Sequence, residues 1–556
     1  MNTIAEITRI EQETKELIDN LKRTCAGHGL SNDGNEYKII TQVFLYKYFN
    51  DKFGYEAKKV SGGGYGARLS AAEKWDAEYD KFTEDEVEDL FSYLPSGTPR
   101  LKPHHTISHL YNAQQQGDFS TLFDSTMVDI ANLNAGIFSM ATAGDTKLTI
   151  FENITVFVPD VQQRDQFAIA LMKNIAGFNF EKVFIQKYDF FSTIFEYLIK
   201  DYNKDGGGVY AEYYTPKAVA SIMARLLVPD NADLHSVTCY DPSAGSGTLL
   251  MALAHAIGED RCQIYSQDIS QKSSKMLRLN LILNNLVGSI QNIIQGDTLV
   301  SPKHKETNGS LRRFDYIVSN PPFNLDFSDN RDNIAEDRLR FWAGVPDVPK
   351  KDKKSMGIYL CFLQHIIYSL KDNGKAAVVV PTGFITSKKK IQKNILEKLV
   401  DGRMLSGVVS MPSNIFANTG TNVSVLFIDR TNTDGKVVLM DASKLGTTIK
   451  DDGIQKTLLS EADIEKIITT FHAKESVEDF AVAVTYKDIK EKGYSLSAGQ
   501  YFDIKIDYVD ITEEEFNQRM NNYKQTLTEQ FAESHRLEEE IMAQLDSLKF
   551  NDTNEE

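Results

Sequence analysis

Four consecutive residues, Asn320, Pro321, Pro322 and Phe323, combine the groups that can hold a planar ring by its exocyclic amino group. The Asn320 side-chain oxygen and the Pro321 carbonyl can each accept a hydrogen bond from that amino group, and Phe323 can stack on the ring. The two prolines stiffen the backbone and keep these groups in place. Taken alone, the same residues also suit an ordinary turn at the end of a strand, so their surroundings must decide.

The apolar run 314–319 precedes these four residues and predicts a buried strand that ends where the prolines begin. In a parallel α/β sheet, the carboxyl ends of the strands form the ligand crevice. We therefore expect Asn320 to lie at such a crevice.

A second strand end lies upstream, where the predicted strand 237–240 leads into a glycine-containing turn and then into the predicted helix 248–257. The turn and the start of the helix read Asp241, Pro242, Ser243, Ala244, Gly245, Ser246, Gly247 and Thr248. A strand, a glycine turn and a helix in this order mark the ligand-binding turn of a doubly wound sheet. The third glycine of a dinucleotide-binding turn is missing, and no Gly-Lys-Ser/Thr of a phosphate loop follows. An acid at the start of the turn suits a ligand that carries an amino group, which favours S-adenosylmethionine over NAD.

Two further acids follow the next two predicted strands, 263–267 and 290–294. Asp268 comes about twenty residues after the glycine turn, where an acid is placed to bind ribose hydroxyl groups. Asp297 is placed to accept a hydrogen bond from an adenine amino group. Because three acids and the tetrapeptide fall on four successive strand ends, the sequence predicts that they form one site.

The composition is that of a globular protein, with 556 residues, 42% hydrophobic and 25% charged. No apolar run approaches the ~20 residues of a membrane span, and the first residues lack the pattern of a signal peptide, so we expect a cytoplasmic protein without a membrane partner. Four scattered cysteines predict neither disulfides nor a zinc site.

The formal net charge of −17 disfavours tight DNA binding by this chain alone, so any such contact must be local or come from a partner.

Residues 1–165 predict a mostly helical domain, because apolar residues recur at helical spacing. His104 and His105 are interpreted as a loop pair rather than as metal ligands, and we predict no metal site. Asp33, near Glu36 and Lys38, lacks the intervening strand of a nuclease carboxylate cluster. We therefore do not expect this chain to cleave DNA.

Residues 166–490 predict a Rossmann-like α/β domain with a doubly wound sheet of seven strands and a final hairpin. Before the first strand, Tyr214, Thr215 and Pro216 predict a helix start that can bind a carboxylate, with Thr215 as N-cap and Pro216 at the first helical position. Residues 324–354 show no clear period and are interpreted as a surface insertion, with a mobile loop over the site as the alternative. Residues 388–390, three lysines, suit either phosphate contacts or a solvated turn.

Residues 491–556 contain a predicted amphipathic helix of about thirty residues that begins near Thr512. Its apolar positions are Phe516, Met520, Tyr523, Leu527, Leu537, Ile541 and Leu548. Because little chain remains to cover this face, we expect a partner helix, and packing on the chain itself is the alternative.

These motifs resemble those of the modification (M) subunit of type I restriction–modification systems, an adenine-specific DNA methyltransferase. The resemblance covers most of the chain, including the Tyr-Thr-Pro helix start, the turn 241–247, the tetrapeptide 320–323, segments 374–381 and 411–416, and the C-terminal helix. It implies an S-adenosylmethionine-dependent methyltransferase fold with Asn320, Pro321, Pro322 and Phe323 as catalytic residues. The residues that it implies for cofactor binding are Tyr214, Thr215, Pro216, Asp241, Pro242, Ser243, Gly245, Ser246, Gly247, Thr248, Asp268 and Asp297.

The reaction implied by the resemblance is methyl transfer from S-adenosylmethionine to N6 of an adenine that is flipped out of duplex DNA. The implied partners are a specificity (S) subunit that reads DNA, with two M subunits per S subunit, and a restriction (R) subunit that cleaves it. Two departures, Asn324 in place of a common glycine and the residues 421–424 at a later turn, concern loop details. The alternatives are methylation of cytosine N4 or of protein glutamine, and a non-catalytic subunit that binds cofactor and assembles a complex. Carbon-5 methylation of cytosine needs a Pro-Cys nucleophile, which the sequence lacks.

Overall fold

The structure is a computed structural model that describes residues 2–31, 34–115, 117–144, 146–181, 184, 194, 197, 215–229, 233–416, 422–451, 454–502 and 511–547. Tertiary contacts divide the chain into two units, Met1–Phe502 and Asp503–Glu556. Of the helices in the described ranges, none combines the length and the apolar character that crossing a membrane requires.

The first part of the unit Met1–Phe502 consists mainly of helices around a core rich in aromatic rings. These helices are α1 (Asn2–Gly27), α2 (Gly34–Ala57), α3 (Tyr65–Ala71), α4 (Trp75–Tyr79), α5 (Glu84–Tyr93), α6 (Ile107–Ala113), α7 (Phe119–Leu133), α8 (Ala135–Phe138) and α9 (Arg164–Ala176). Helix α2 is central to this core, since its Phe44, Phe49 and Phe53 side chains are fully buried. The predicted boundary at residue 165 falls at the start of α9, and the domain limits stay predictions.

This helical part also contributes two short strands, β1 (Met140–Thr142) and β2 (Lys147–Leu148), to the edge of the large sheet. Arg278, which is buried, holds them in place. Its guanidinium donates to the Phe138 carbonyl at 3.3 Å, the Leu148 carbonyl at 2.9 Å and the Thr149 carbonyl at 2.9 Å. Because a buried cation needs several acceptors, this cluster ties the helical part firmly to the sheet.

The remaining strands are β3 (Val237–Asp241), β4 (Cys262–Asp268), β5 (Ile293–Gln295), β6 (Phe314–Ser319), β7 (Leu370–Pro381), β8 (Leu405–Ser410), β9 (Val423–Asp429), β10 (Lys436–Asp441), β11 (Thr447–Asp451), β12 (Ile454–Leu458) and β13 (Ala481–Thr485). Eleven strands form one sheet in the order β13-β10-β8-β9-β7-β6-β3-β4-β5-β1-β2, and β11 pairs with β12 in a separate hairpin.

The seven predicted strands correspond to β3–β9, and the predicted fold class is confirmed. Within this set only β9 runs antiparallel to its neighbours, and its ladder with β8 is the predicted final hairpin. The strand β3 lies between β4 and β6, so the chain order reverses there. Such a reversal opens a crevice at the carboxyl ends of the strands. The strands β10 and β13 on one side, and β1 and β2 on the other, were not predicted.

The helices that accompany the sheet are α10 (Lys217–Leu227), α11 (Thr248–Ile257), α12 (Gln271–Leu283), α13 (Arg331–Glu336), α14 (Tyr359–Ser369), α15 (Lys390–Asp401), α16 (Glu461–Ala473) and α17 (Tyr486–Glu491). Helix α11 starts and ends as predicted. Their apolar faces pack on the sheet because every residue of β3 is buried and needs cover on both sides.

The stretch 324–354 folds against a small hydrophobic core of its own. This core consists of Leu299, Phe327, Ile334, Phe341, Val345, Met356, Ile358, Cys361 and Phe362. Arg340, which is buried, donates to the Thr298 carbonyl at 3.2 Å and to the Leu299 carbonyl. The stretch is therefore an ordered insertion with α13 at its centre, whereas its irregular apolar spacing had indicated no regular element.

His104 and His105 lie in a short 3₁₀ helix, Pro103–His105, and the His105 ring is fully buried. The Lys102 N–H donates to His105 Nδ1 at 3.1 Å, so the ring proton lies on Nε2, 2.8 Å from the Asp129 carboxylate. This arrangement closes a turn. The four cysteines, Cys25, Cys239, Cys262 and Cys361, are buried and form no disulfide.

In the second unit, the described residues 511–547 form the helix α18 (Glu513–Ser547), of 35 residues. A capping box begins it, because the Glu515 N–H donates to Thr512 Oγ1 at 3.2 Å and the Thr512 N–H donates to the Glu515 carboxylate at 3.4 Å. Its exposed apolar side chains are Phe516, Met520, Tyr523, Leu527, Phe531, Leu537, Ile541, Met542 and Leu545. The predicted helix is present and somewhat longer than expected, and Leu548 lies outside the described residues.

Candidate active site

Asn320 comes directly after β6, at the carboxyl edge of the sheet and beside the point where the strand order reverses. Its side chain is half-buried, and its Nδ2 donates a hydrogen bond to Thr215 Oγ1 at 3.2 Å. Thr215 is buried and lies just before α10. Since the amide nitrogen binds the threonine, the amide oxygen Oδ1 is the atom that remains to accept a hydrogen bond from a ligand.

The helix start at Thr215 and Pro216 differs from the prediction. Helix α10 begins at Lys217, and Pro216 is its N-cap with ψ at 142°, outside the helical region. Thr215 therefore lies one position too early to cap the helix, and its hydroxyl binds Asn320 instead. Tyr214 lies outside the described residues.

Phe323 lies at one wall of a cavity of about 470 Å³. Two further aromatic rings line it: Tyr359 is in edge contact with Phe323 at 6.2 Å between ring centroids, and Phe384 is in edge contact with Tyr359 at 6.1 Å. Gln392 also lines the cavity and bonds to the Tyr359 side chain. Aromatic walls with a few polar groups suit a planar heterocycle.

Tyr359, Phe384 and Gln392 were not among the predicted site residues. Phe384 follows Pro381 at the carboxyl end of β7, so the strand-end argument that located Asn320 could also have found it. Tyr359 and Gln392 lie on α14 and α15, and no local motif marks them.

The turn after β3 is bonded to the strand that carries Asn320. Asp241 Oδ1 accepts from the Ser243 N–H at 2.9 Å and from the Ser319 hydroxyl at 2.9 Å. The Ser319 and Ser243 hydroxyls also lie 2.9 Å apart. The glycine turn and the tetrapeptide therefore share one hydrogen-bonded cluster, as their common sheet edge predicts.

The two glycines of this turn adopt backbone conformations that other residues rarely take, with φ of 55° at Gly245 and 85° at Gly247. A side chain at Gly247 would also lie 2.3 Å from Leu277 Cδ1. Gly247 is the N-cap of α11, and the Ser246 carbonyl accepts from Asn280 Nδ2 at 3.1 Å. Pro242 is fixed through its carbonyl, which accepts from Thr298 Oγ1 at 2.8 Å.

Asp268 ends β4 and reaches across to the glycine turn. Its Oδ2 accepts from the Gly245 N–H at 3.0 Å, and its Oδ1 accepts from the Ser270 N–H at 2.8 Å. Asp297 lies two residues after β5, and its Oδ1 accepts from the N–H groups of Leu299 at 2.8 Å and Val300 at 3.1 Å. The structure thus places all three acids at successive strand ends, and their contacts to ligand atoms stay predictions.

Two of these carboxyl groups titrate unusually. Burial raises the pKa of Asp241 to about 7, and the hydrogen bonds from Ser243 and Ser319 counter this shift only in part. Burial also raises the pKa of Asp268, against the opposing effect of the Ser270 and Gly245 N–H groups. A cationic ligand beside these groups would favour their ionised forms.

The donor and acceptor set of this edge fits S-adenosylmethionine. Carboxylates at the ends of β3 and β4 suit an amino group and ribose hydroxyls, and the tight turn at Gly245 and Gly247 brings backbone atoms close to the crevice. The buried carboxyl group of Asp241 and the partly buried one of Asp268 also suit a ligand that carries positive charge.

Comparisons with known proteins agree with this geometry. A model of the N-6 DNA methylase family matches residues 186–510. The type I restriction enzyme MpnII methylase subunit of Mycoplasma pneumoniae is 30% identical over 322 residues, which cover 56% of this chain and 57% of that protein. The HindI methylase subunit of Haemophilus influenzae is 27% identical over 391 residues, which cover 67% of this chain and 81% of that protein.

Among solved structures, the type I restriction-modification system methyltransferase subunit from Streptococcus thermophilus superposes with a TM-score of 0.67 at 21% identity, covering 89% of this chain and 100% of that chain. This likeness supports the fold. The chain spans little more than half the length of the Mycoplasma relative. Because the family match extends over more than half of the chain and includes both the glycine turn and the tetrapeptide, the chain belongs to the N-6 DNA methylase family.

Proposed function

We propose that this protein transfers a methyl group from S-adenosylmethionine to N6 of a flipped-out adenine in duplex DNA, as the modification subunit of a type I restriction–modification complex. The observation that carries the proposal is the position of Asn320. Its amide is held by Thr215, it directly follows Ser319 of the Asp241 cluster, and it lies three residues before Phe323, which lines the aromatic cavity.

The cofactor half of the site is the crevice formed by β3, β4 and β5. Asp241 and the turn 242–247 would bind the amino-acid part of S-adenosylmethionine, Asp268 the ribose, and Asp297 the adenine amino group. Thr215, Pro216 and Thr248 lie at the neighbouring helix starts and would border this part, as would Tyr214. The bound cofactor supplies a methyl group activated by its attachment to a sulfonium.

The adenine half of the site is Asn320, Pro321, Pro322 and Phe323 with the cavity beside them. The target base must leave the helix stack, because its N6 is otherwise inaccessible. In the cavity the base would stack on Phe323, and its amino hydrogens would bind Asn320 Oδ1 and the Pro321 carbonyl. These two acceptors favour a pyramidal nitrogen whose lone pair can attack.

The transfer forms a bond between N6 and the methyl carbon and breaks the bond between that carbon and sulfur. The nitrogen then releases one proton to water, so neither a covalent intermediate nor a metal is needed. The main catalytic contribution of the protein is therefore to hold both reactants in line and to stabilise the developing positive charge on the nitrogen.

The relatives named as methylase subunits of type I restriction enzymes support a role in a complex. With a net charge of −17, this chain is on average repelled by DNA, and α18 offers an exposed apolar face. We propose that α18 packs on helices of a specificity subunit, with two copies of this chain per specificity subunit, and that a separate restriction subunit cleaves DNA. The proposed location is the cytoplasm.

The first test is the transfer of labelled methyl groups from S-adenosylmethionine to plasmid DNA, followed by base analysis. It is run with this chain alone and with the specificity subunit present. We expect N6-methyladenine only when both subunits are present. Methylcytosine, or no labelled DNA despite measured cofactor binding, would contradict the proposal, and the second result would favour an assembly subunit.

The matched variants for this test are Asn320→Ala and Asn112→Ala, because Asn112 is exposed on α6 and is not among the residues that line the cavity. Asn320→Ala should abolish product while cofactor binding persists. Asn112→Ala should retain both.

A further inference from the structure

Two lysine-rich segments far apart in the sequence meet at the mouth of the aromatic cavity. Segment 346–356 contributes Pro346, Asp347, Pro349 and Ser355 to its lining, and segment 386–393 contributes Ser387, Lys389, Ile391 and Gln392. We call their lysines the basic rim. The basic rim consists of Lys350, Lys351, Lys353, Lys354, Lys388, Lys389, Lys390 and Lys393.

All eight lysines of the basic rim are exposed. The two segments also contain two acids, and both are engaged locally. Asp347 Oδ1 lies 3.0 Å from Arg331 Nη2, and Asp352 Oδ1 accepts the Lys354 N–H at 3.1 Å. The two segments therefore concentrate positive charge beside the cavity of a chain whose formal net charge is −17.

Ordered structure positions both halves of the basic rim. Val345 and Met356, which bracket the first half, are buried in the small core of the insertion. In the second half, Lys389 is the N-cap of α15, whose Ile395 and Leu399 side chains are buried. Both groups of lysines are thus attached to segments that buried side chains hold in place. A run of charges that only faces solvent needs no such anchoring.

The ligand that fits both features is a polyanion that carries a planar ring between its negatively charged groups. The cavity between the two segments suits a planar base, and a flipped nucleotide brings a phosphate on each side of its sugar to the mouth of that cavity. Lysine side chains bind such phosphates as mobile point charges. An acidic protein surface would match the charge and leave the aromatic cavity without an occupant.

We propose that the basic rim binds the DNA phosphates that flank the flipped adenine, so that this acidic chain makes its own contact with DNA at the target. This inference rests on the proposed function. It assigns the insertion 324–354 a role as one wall of the DNA contact, and it makes residues 388–390 phosphate ligands.

The test uses the full-length chain, a fluorescein-labelled duplex of mixed sequence and binding by fluorescence anisotropy between about 50 and 200 mM NaCl. One variant replaces Lys388, Lys389 and Lys390 with Gln, and a second replaces Lys350, Lys351, Lys353 and Lys354 with Gln. Because each phosphate contact contributes about −0.9 to the slope of log K against log salt, the first variant should reduce the steepness of that slope by up to about 2.7 and the second by up to about 3.6. Affinity for S-adenosylmethionine should not change.

The matched control replaces Lys436, Lys487 and Lys492 with Gln. These lysines are exposed and lie near the edge of the sheet opposite to the carboxyl ends of β6 and β7, where Lys436 pairs with Thr485. This variant changes the net charge by the same amount as the first and should leave the slope intact. Thermal unfolding verifies that every variant is folded.

Slopes in the rim variants equal to those of the wild type and the control would overturn the proposal, as would salt-independent DNA binding by the wild type. The methylation assay with the specificity subunit separates the two proposals. A methylating wild type with unchanged rim variants rejects only the basic rim. A rim-dependent slope without any methylation rejects only the catalytic function.

Discussion

The proposed active site has two halves, one for the cofactor and one for the adenine, and they are built in different ways. In the cofactor half, the buried Asp241 and the partly buried Asp268 are bonded to backbone and hydroxyl groups of the adjoining turns. In the proposed adenine half, Phe323, Tyr359 and Phe384 line an open cavity together with the exposed Lys389, and the other exposed lysines of the basic rim lie on the two segments that contribute to this lining. The first half is polar and tightly hydrogen-bonded, which suits the proposed small charged cofactor, and the second is wide and aromatic, which suits the proposed base.

This contrast predicts that the two halves can be disabled separately. Asn320, which lies between them, contacts Thr215 on one side and follows the Asp241-bonded Ser319 on the other. The following substitutions test the separation, beginning with the largest expected effect.

Asn320→Ala should reduce methyl transfer by at least about 10²–10³-fold, because it removes a positioned acceptor for the reacting amino group. The affinity for S-adenosylmethionine, measured by isothermal titration calorimetry, should stay within a few fold of the wild type. A variant that loses cofactor binding to the same extent as activity would show that the halves are not separate.

Phe323→Ala should weaken productive DNA binding by about 5- to 150-fold, the range expected for the loss of one base-stacking ring. The measurement is methylation rate against DNA concentration, with cofactor affinity as the internal reference. Phe323→Tyr keeps the ring and should retain most of the activity. Equal losses in both variants would argue against stacking.

The affinity for S-adenosylmethionine should fall by about tenfold between pH 8 and pH 6, because the pKa of Asp241 is raised to about 7 and its ionised form attracts the cationic ligand. Asp241→Asn should bind the cofactor more weakly at pH 8, and its affinity should depend less on pH. The pH dependence that remains in this variant comes from the titration of the cofactor itself. Calorimetry across this range gives both curves. Parallel curves would exclude Asp241 as the titrating group.

Asp241 also has a predictable effect on stability without ligand. Its pKa is higher in the folded protein than in the unfolded chain, so its contribution to stability is present below about pH 4 and is lost as the pH rises through 7. Added cofactor should therefore raise the melting temperature more at pH 8 than at pH 6.

Thr215→Val should lower the rate of transfer by only about three- to tenfold, since it removes one hydrogen bond to the Asn320 amide and keeps the side-chain volume. Thr215→Ser keeps the hydroxyl and should restore the rate. Steady-state kinetics should place the change in kcat rather than in the KM for DNA. An unchanged kcat in Thr215→Val would show that Asn320 is oriented without this bond.

The parts of the site that the sequence predicted are local. Asp241, Asp268, Asp297 and Asn320 each come at or just after the end of a predicted strand, and the carboxyl ends of parallel strands share one edge of the sheet. The shift of the helix start from Thr215 to Lys217 has the opposite origin, because a tertiary contact to Asn320 takes the hydroxyl that local reasoning had assigned to capping.

The succession of the strands β3–β9 along the chain and the residues at their ends were therefore predicted from the sequence alone, through the strand pattern, the glycine turn and the two prolines. Only the tertiary structure decided that Thr215 holds Asn320, that Tyr359, Phe384 and Gln392 complete the cavity, and that the insertion 324–354 brings lysines to its mouth. The physical reason is that periodicity specifies which face of an element is buried. Which distant faces then meet depends on the packing of the whole chain.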